Sequence, residues 1–384
     1  MQKLILLYWG TVFLMYLSQT YYPVKNQLQG RQSGRCHFMW KKSDIFMIIM
    51  IFWLVSISFL RQRYNDTENY ILGFINAASV VEGIENGLFV DWTGNPLSML
   101  YRSIMRDLTD NYHIYFFVPA LLSSYAVVKL CKRYSVNPAF SMLIFFSVGT
   151  YCLFIAAMKQ CFAVFFLLMA LPYAIDRKYV HFYLLVLIAV LFHTHAFMFA
   201  IAPLLIEKPW GKVTWLLLAA TLFAMATYDS TLGAFMEYAQ SLGAMVAEDE
   251  VFDGNSINIL RVLVYWVPAI MALVFRQRLF GDSTKTENLF ANMSIVSAFI
   301  LTIGLVEGAN LYARMAGYFE IATAITLPWM IKKTFTKQSA QIVTVCAAVL
   351  YFGYFWYEFA ITKDFSNNYS AISWWQFIQE LIAH

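Results

Sequence analysis

The stretch HFYLLVLIAVLFHTHAFMFAIAPLLI, residues 181–206, decides how this chain is threaded. A helix crosses the hydrocarbon with about 20 apolar residues. The run is therefore long enough for one crossing, or for the two short arms of a re-entrant hairpin with His193 and His195 at its middle. Charge separates the two readings. Arg177 and Lys178 precede the run, and Lys208 and Lys212 follow it. Cytoplasmic loops are enriched in Lys and Arg, and only a run that enters and leaves on one side keeps both linkers on the same face.

Working outward, further apolar runs fall near 3–20, 43–60, 114–130, 138–157, 160–175, 214–228, 259–275, 291–306, 311–331 and 341–358. The linkers 25–42, 129–133, 177–178, 208–212, 276–285 and 332–337 hold 18 of the 27 Lys and Arg residues. The hairpin puts all six on one face, whereas a single crossing flips the later ones and destroys the asymmetry. The expected fold is all-α: a polytopic transmembrane helical bundle of about ten full spans plus a two-armed short helical hairpin, with both termini outside. Residues 1–384 form one transmembrane domain. The outer face carries loop 61–113 and the acidic loop 229–258. Within loop 61–113 the spacing of Pro96, Met99, Leu100, Ser103, Ile104 and Asp107 predicts a surface helix.

Composition agrees. Of 384 residues, 60% are hydrophobic and 13% charged, against about 25% charged in an average soluble domain. The first apolar run, Leu4 to Tyr16, lacks a small-residue cleavage site and reads as a span rather than a signal peptide. Cys36, Cys131, Cys152, Cys161 and Cys346 are scattered without CxxC or metal-type spacing, so neither a disulfide scaffold nor a zinc site is expected. Membrane lipids are the expected surroundings, and nucleic acid is not an expected partner.

Basic residues outside the six linkers are Lys3, Arg61, Arg63, Arg102, Arg106, Lys159, Arg261, Arg314 and Lys363. An outer cation beside the bilayer runs against the positive-inside bias. Arg61 and Arg63 close the second run. They read either as interfacial anchors or as guanidinium forks for a diphosphate. Lys159, between two apolar runs, is a turn residue or a cation at the outer end of the bundle. Arg314 opens a run that contains Glu320, and intramembrane ionisable groups usually face the bundle interior or a wet cavity. An Arg314–Glu320 pair is disfavoured, because i and i+6 point to nearly opposite helix faces. His193 and His195, at i and i+2, cannot share one face of a regular helix, but a hairpin tip lets both reach one cavity. There they act as a base or a phosphate contact, or remain hydrogen-bonded core residues. Asp66 with Glu68 is a weaker candidate for a divalent ion.

Four stretches together resemble the EpsG family of exopolysaccharide polymerases, relatives of the Wzy oligosaccharide repeat-unit polymerases. They are Phe59-Leu60-Arg61 with Asp66 and Tyr70; Asn95-Pro96 through Tyr101 to Tyr115-Phe116-Phe117; Met158-Lys159-Gln160-Cys161-Phe162-Ala163 through Lys178 to Phe192-His193-Thr194-His195-Ala196; and Arg314-Met315-Ala316-Gly317-Tyr318-Phe319 with Pro328. They span about residues 57–330. The chain departs from the pattern in three places. Lys159 stands where arginine is usual, Asn95 where glutamate is common, and His195 where serine is frequent.

The resemblance implies a bacterial inner-membrane glycosyltransferase that needs no cofactor or metal and acts on polyprenyl-diphosphate-linked oligosaccharides. Other polysaccharide export proteins are implied partners. An acceptor hydroxyl attacks the donor's anomeric carbon and polyprenyl diphosphate leaves. Arg61, Arg63, Lys159 and Arg314 are the candidate cations around the leaving group. His193, Asp66 and Glu320 are the candidate bases. Tyr70 and His195 are further substrate contacts, and Trp92 and Tyr112 are candidate stacking rings for sugar. An O-antigen-type ligase, a lipid-linked sugar flippase or transporter, and a membrane acyltransferase stay open. The threading predicts that a cysteine at Ser241 reacts with an impermeant thiol reagent in intact spheroplasts and that Cys131 does not; the reverse labelling means a miscounted span.

Overall fold

Each apolar run becomes a helix in the computed structural model, which describes residues 1–24, 44–90, 94–228, 230 and 255–383. The first part of the chain holds α1 (Gln2–Tyr21), α2 (Ile45–Phe59), a short strand β1 (Arg61–Arg63), α3 (Thr67–Ile75), α4 (Val80–Glu85) and α5 (Pro96–Leu108). Then come α6 (Tyr112–Tyr134), α7 (Pro138–Ser147), α8 (Thr150–Ala156), α9 (Met158–Ile175) and α10 (Tyr179–Phe192). A 3₁₀ segment, Thr194–Ile206, leads into α11 (Lys212–Ala226). The last part holds α12 (Ile259–Val274), α13 (Arg276–Phe280), α14 (Lys285–Ile303), α15 (Ala309–Thr334) and α16 (Lys337–Trp356), then α17 (Phe365–Asn368), β2 (Ser370–Ala371) and α18 (Trp374–Ala383). Among the described residues the architecture is all-α apart from β1 and β2, which pair antiparallel with Arg61 opposite Ala371.

Among the described residues four helices, α6, α9, α14 and the continuous Lys337–Thr362, are long and apolar enough to cross a membrane. The bent pair α7–α8 makes a fifth. Its 55° bend falls at Gly149, whose φ of +87° suits glycine and whose missing side chain admits the Phe359 ring. The other apolar helices, α2, α10, α11, α12 and the 3₁₀ segment, are shorter. Helix α14 is buried from Glu287 to Leu301. It packs on α15, so these two form the centre of the bundle.

Residues 181–206 fold as two arms. Tyr183 Oη donates to Ala200 O at 3.5 Å and the rings of Phe182 and Phe199 lie 6.3 Å apart, so α10 and the 3₁₀ segment run antiparallel. The returning arm is not the α-helix its apolar pattern suggests. A 3₁₀ run of this length is unusual, and its end is tied to α14. Asn292 Nδ2 donates to Leu205 O at 2.8 Å and Glu207 O at 2.7 Å, and Asn288 Nδ2 donates to Ile206 O at 3.1 Å. These amides satisfy carbonyls that an apolar surrounding would otherwise strand.

The basic linkers that fall within the described residues gather at one end. Lys132 pairs with Asp44, and both are buried against Ser18. Lys208 Nζ reaches Gly281 O at 3.3 Å and Lys333 Nζ reaches Asp282 at 2.7 Å. Lys132 and Lys332 line one cavity of about 780 Å³ with Gln19, Asn137 and Gln341. Linker 25–42 and nearly all of loop 229–258 lie outside the described residues.

Two expectations change in detail. The buried side of α5 carries Pro96, Ser98, Ser103 and Met105, while Ile104 is exposed, because small hydroxyl residues let the helix approach α10 closely. Cys131 is fully buried, so its silence toward a thiol reagent reports burial rather than side. Gln338, exposed in the first turn of α16, is the informative probe. Gln338→Cys is expected to label only after permeabilisation, and labelling in intact spheroplasts sinks the hairpin threading.

Candidate functional site

Opposite the basic linkers, four elements bring polar side chains together. β1 and the turn after it deliver Asp66 to the start of α3, with Asn65 at φ +43° turning the chain. Asp66 Oδ2 accepts from Arg314 Nη2 of α15 at 3.2 Å. The two side chains are 39% and 26% exposed, so a third group can reach the guanidinium. One helical turn after Asp66, Tyr70 lies by both members of the pair and against the Lys159 backbone at the start of α9. Burial, with the Asp66 charge adding to it, pushes the Tyr70 phenol up to about 12, which keeps it a neutral hydrogen-bond donor. Gln160 Nε2 donates to Arg314 O at 2.7 Å, and Gly317 leaves the space that this amide occupies. The start of α9 is thereby fixed against the first turns of α15.

The hairpin apex completes the group. His193 leaves α10 in an extended conformation (φ −153°). Its Nδ1 lies 2.6 Å from Tyr318 Oη. His195 lies beside it with ring centroids 5.1 Å apart, and Arg314 and Lys159 are within electrostatic reach of His193. The Tyr318 bond sets what His193 can do. If the phenol accepts from Nδ1–H, Nε2 is a free base; if it donates to Nδ1, Nε2–H is a donor for an anion.

Asp66, Tyr70, Lys159, His193, His195 and Arg314 are therefore brought together, and three other expected residues are not. Arg61 is buried: Nε donates to Thr67 Oγ1 at 3.1 Å, Nη1 bonds Ser58 O, and its guanidinium stacks 4.1 Å from the Phe116 ring. Only Nη2 lacks a hydrogen-bond partner among the described residues. Arg63 points outward, 3.9 Å from Glu68, so Asp66 and Glu68 face different arginines. Glu320 is on a different face of α15, about 120° around the helix from Arg314. It is fully buried, accepts from Tyr265 Oη at 2.6 Å, and shares its surroundings with Arg261. Trp92 lies outside the described residues.

Sequence reasoning assigned no role to Tyr318, Gln160 or Asn95. Tyr318 was legible in principle, since i+4 from Arg314 puts both on one helix face. Gln160 and Asn95 appear in the family-like stretches, but their partners lie across the bundle and no local pattern names them.

A polar, cation-bearing cluster at one end of an apolar helical bundle marks a membrane protein with a built site rather than a passive anchor. A family model matches residues 44–373, and the chain belongs to the EpsG family. Membership gives it a role in exopolysaccharide biosynthesis of the polymerase type. No curated protein and no solved structure matches the chain.

The cluster makes Arg314 the cation to test. Arg314→Lys is expected to lose most chain-extension activity although charge is kept, because an ammonium cannot supply the planar fork. Arg314→Ala is expected to cost about 10²–10³ in rate. Lys363→Ala should change little, since Lys363 pairs with Glu358 at 3.1 Å. Normal polymer from Arg314→Ala at normal expression removes Arg314 from the site.

Proposed function

We propose that the chain polymerises polyprenyl-diphosphate-linked oligosaccharide repeat units on the outer face of a bacterial inner membrane. The observation that carries this reading is the convergence of Lys159, His193 and Arg314 from α9, the hairpin apex and α15. Two cations beside a group able to move a proton are what a glycosyl transfer with a diphosphate leaving group requires.

In the proposed reaction an acceptor sugar hydroxyl forms a bond to the donor's anomeric carbon. The bond from that carbon to the diphosphate oxygen breaks, and the hydroxyl proton passes to a base. Arg314 and Lys159 hold the charge that grows on the leaving group. His193 takes the proton through Nε2 in the tautomer that donates from Nδ1 to Tyr318. Asp66 holds Arg314 between turnovers and yields to the diphosphate. With fixed protein cations in this role, no metal is required. Holding donor and acceptor side by side makes the transfer effectively intramolecular. In this reading the chain has about ten spans plus the hairpin with both termini outside, so that the site faces outward and export proteins take up the product.

Purified protein with lipid-linked repeat units, assayed for chain extension in a metal chelator, tests the reading. His193→Gln keeps hydrogen bonding but removes basicity near neutral pH. It is expected to abolish extension while leaving donor binding nearly intact, and His195→Ser is expected to be tolerated. Full extension by His193→Gln together with loss in His195→Ser refutes the assignment. In cells, deletion is expected to leave single repeat units; polymer stranded on its lipid carrier points to a ligase instead.

A further inference from the structure

His193 sits at a chain reversal, where helix ends leave backbone groups without intrahelical partners. Two of those groups belong to its immediate neighbours. The Phe192 carbonyl ends α10, and the Thr194 N–H opens the returning arm. Both are taken up by the start of α5, nearly a hundred residues away in sequence. Ser98 Oγ donates to Phe192 O at 2.7 Å. Asn95 Oδ1 accepts from Thr194 N at 2.8 Å and from Thr194 Oγ1 at 3.1 Å. The residues on either side of His193 are therefore held by one turn of one helix, while the ring is held by Tyr318.

The backbone at Asn95 fits this task. Its φ of +59° is left-handed, a conformation that Asn and Gly adopt readily and most residues do not. Pro96 follows as the first residue of α5 and fixes the helix start. Burial of Ser98 and Ser103 lets α5 lie close to the apex. Aromatic packing continues from α5 to the same point. Tyr101 contacts Phe162 at 4.7 Å, and Phe162 stacks on Phe192 at 4.6 Å. The apex is thus seated from below by rings and pinned from the side by Asn95 and Ser98.

We propose that Asn95, with Ser98, is a positioning residue for His193: the first turn of α5 aims the imidazole at the site without touching substrate. The inference rests on the role given to His193 above. It predicts that the loss of one acceptor atom at residue 95 lowers turnover rather than donor affinity.

The choice of variants isolates that atom. Asn95→Gly keeps the left-handed backbone and removes only the side-chain acceptor. Asn95→Asp keeps both the backbone and the acceptor. Two readouts are taken on full-length purified protein: steady-state chain extension, and peptide-resolved carbethoxylation of histidines by diethyl pyrocarbonate. For Asn95→Gly, labelling of His193 is expected to change at least threefold while His113 and His181 are unchanged. Its kcat should fall about tenfold or more with KM nearly constant, equivalent to about 1.4 kcal/mol in the barrier. Asn95→Asp should restore both readouts most of the way. Unchanged His193 labelling and kcat in Asn95→Gly overturn the proposal. So does a rise in KM alone, or an equal loss in Asn95→Asp. Should His193→Gln prove fully active while Asn95→Gly still shifts His193 labelling, the clamp stands and the catalytic role of His193 falls.

Discussion

Hydrocarbon offers no water to a backbone N–H or C=O, so a chain that turns back inside an apolar bundle needs protein partners for the groups it frees. Residues 181–206 turn back in this way, and much of the surrounding structure supplies those partners. Asn288 and Asn292 of α14 cover the carbonyls where the returning arm ends. Asn95 and Ser98 cover the groups at its apex. Three amides and a hydroxyl from distant segments thus hold a reversal that could not persist against lipid alone. The same bonds fix where His193 sits, so the satisfaction of the backbone and the geometry of the site are one problem.

The two faces of α15 divide the charges of the bundle. Arg314 looks toward Asp66, Lys159 and the hairpin apex, where side chains stay partly exposed. Glu320 looks toward Arg261 and Tyr265, where it is sealed. The Tyr265 hydroxyl is the hydrogen-bond partner that holds Glu320 there, with the Arg261 charge in the same surroundings. An open pair of opposite charge behaves differently, because water and a third ion can enter. Arg314 and Asp66 can therefore exchange partners at modest cost, as the proposed handling of a diphosphate requires.

Arg61 shows the contrast at a single residue type. Its neighbour Arg63 is exposed beside Glu68, whereas Arg61 is spent on Thr67, Ser58 and the Phe116 ring. Its backbone belongs to the strand pair that ties the end of the chain to the end of α2: Ile372 N donates to Leu60 O at 3.0 Å, and Trp374 stacks on Phe52 with centroids 5.2 Å apart. Two arginines separated by one residue share a face of a regular strand, but the pairing with β2 is irregular between Arg61 and Arg63, and the two side chains have different environments.

The sequence by itself determined the helical class, the positions of the apolar helices and the two arms over 181–206, because apolar run length and basic linkers are local properties that lipid and charge act on directly; the short helices α3, α4, α17 and α18 left no such signal. It also singled out His193, Asp66, Lys159 and Arg314, since polar groups in apolar company stand out wherever they point. Which of these meet was decided only by the tertiary structure. Glu320 is as conspicuous in sequence as Arg314, yet helical geometry turns it to the other face. Asn95 and Tyr318 enter the sequence reading only as parts of family-like stretches and Ser98 not by itself, yet they hold the histidine. Hydrogen bonds between segments nearly a hundred residues apart depend on packing and register, which no local pattern encodes.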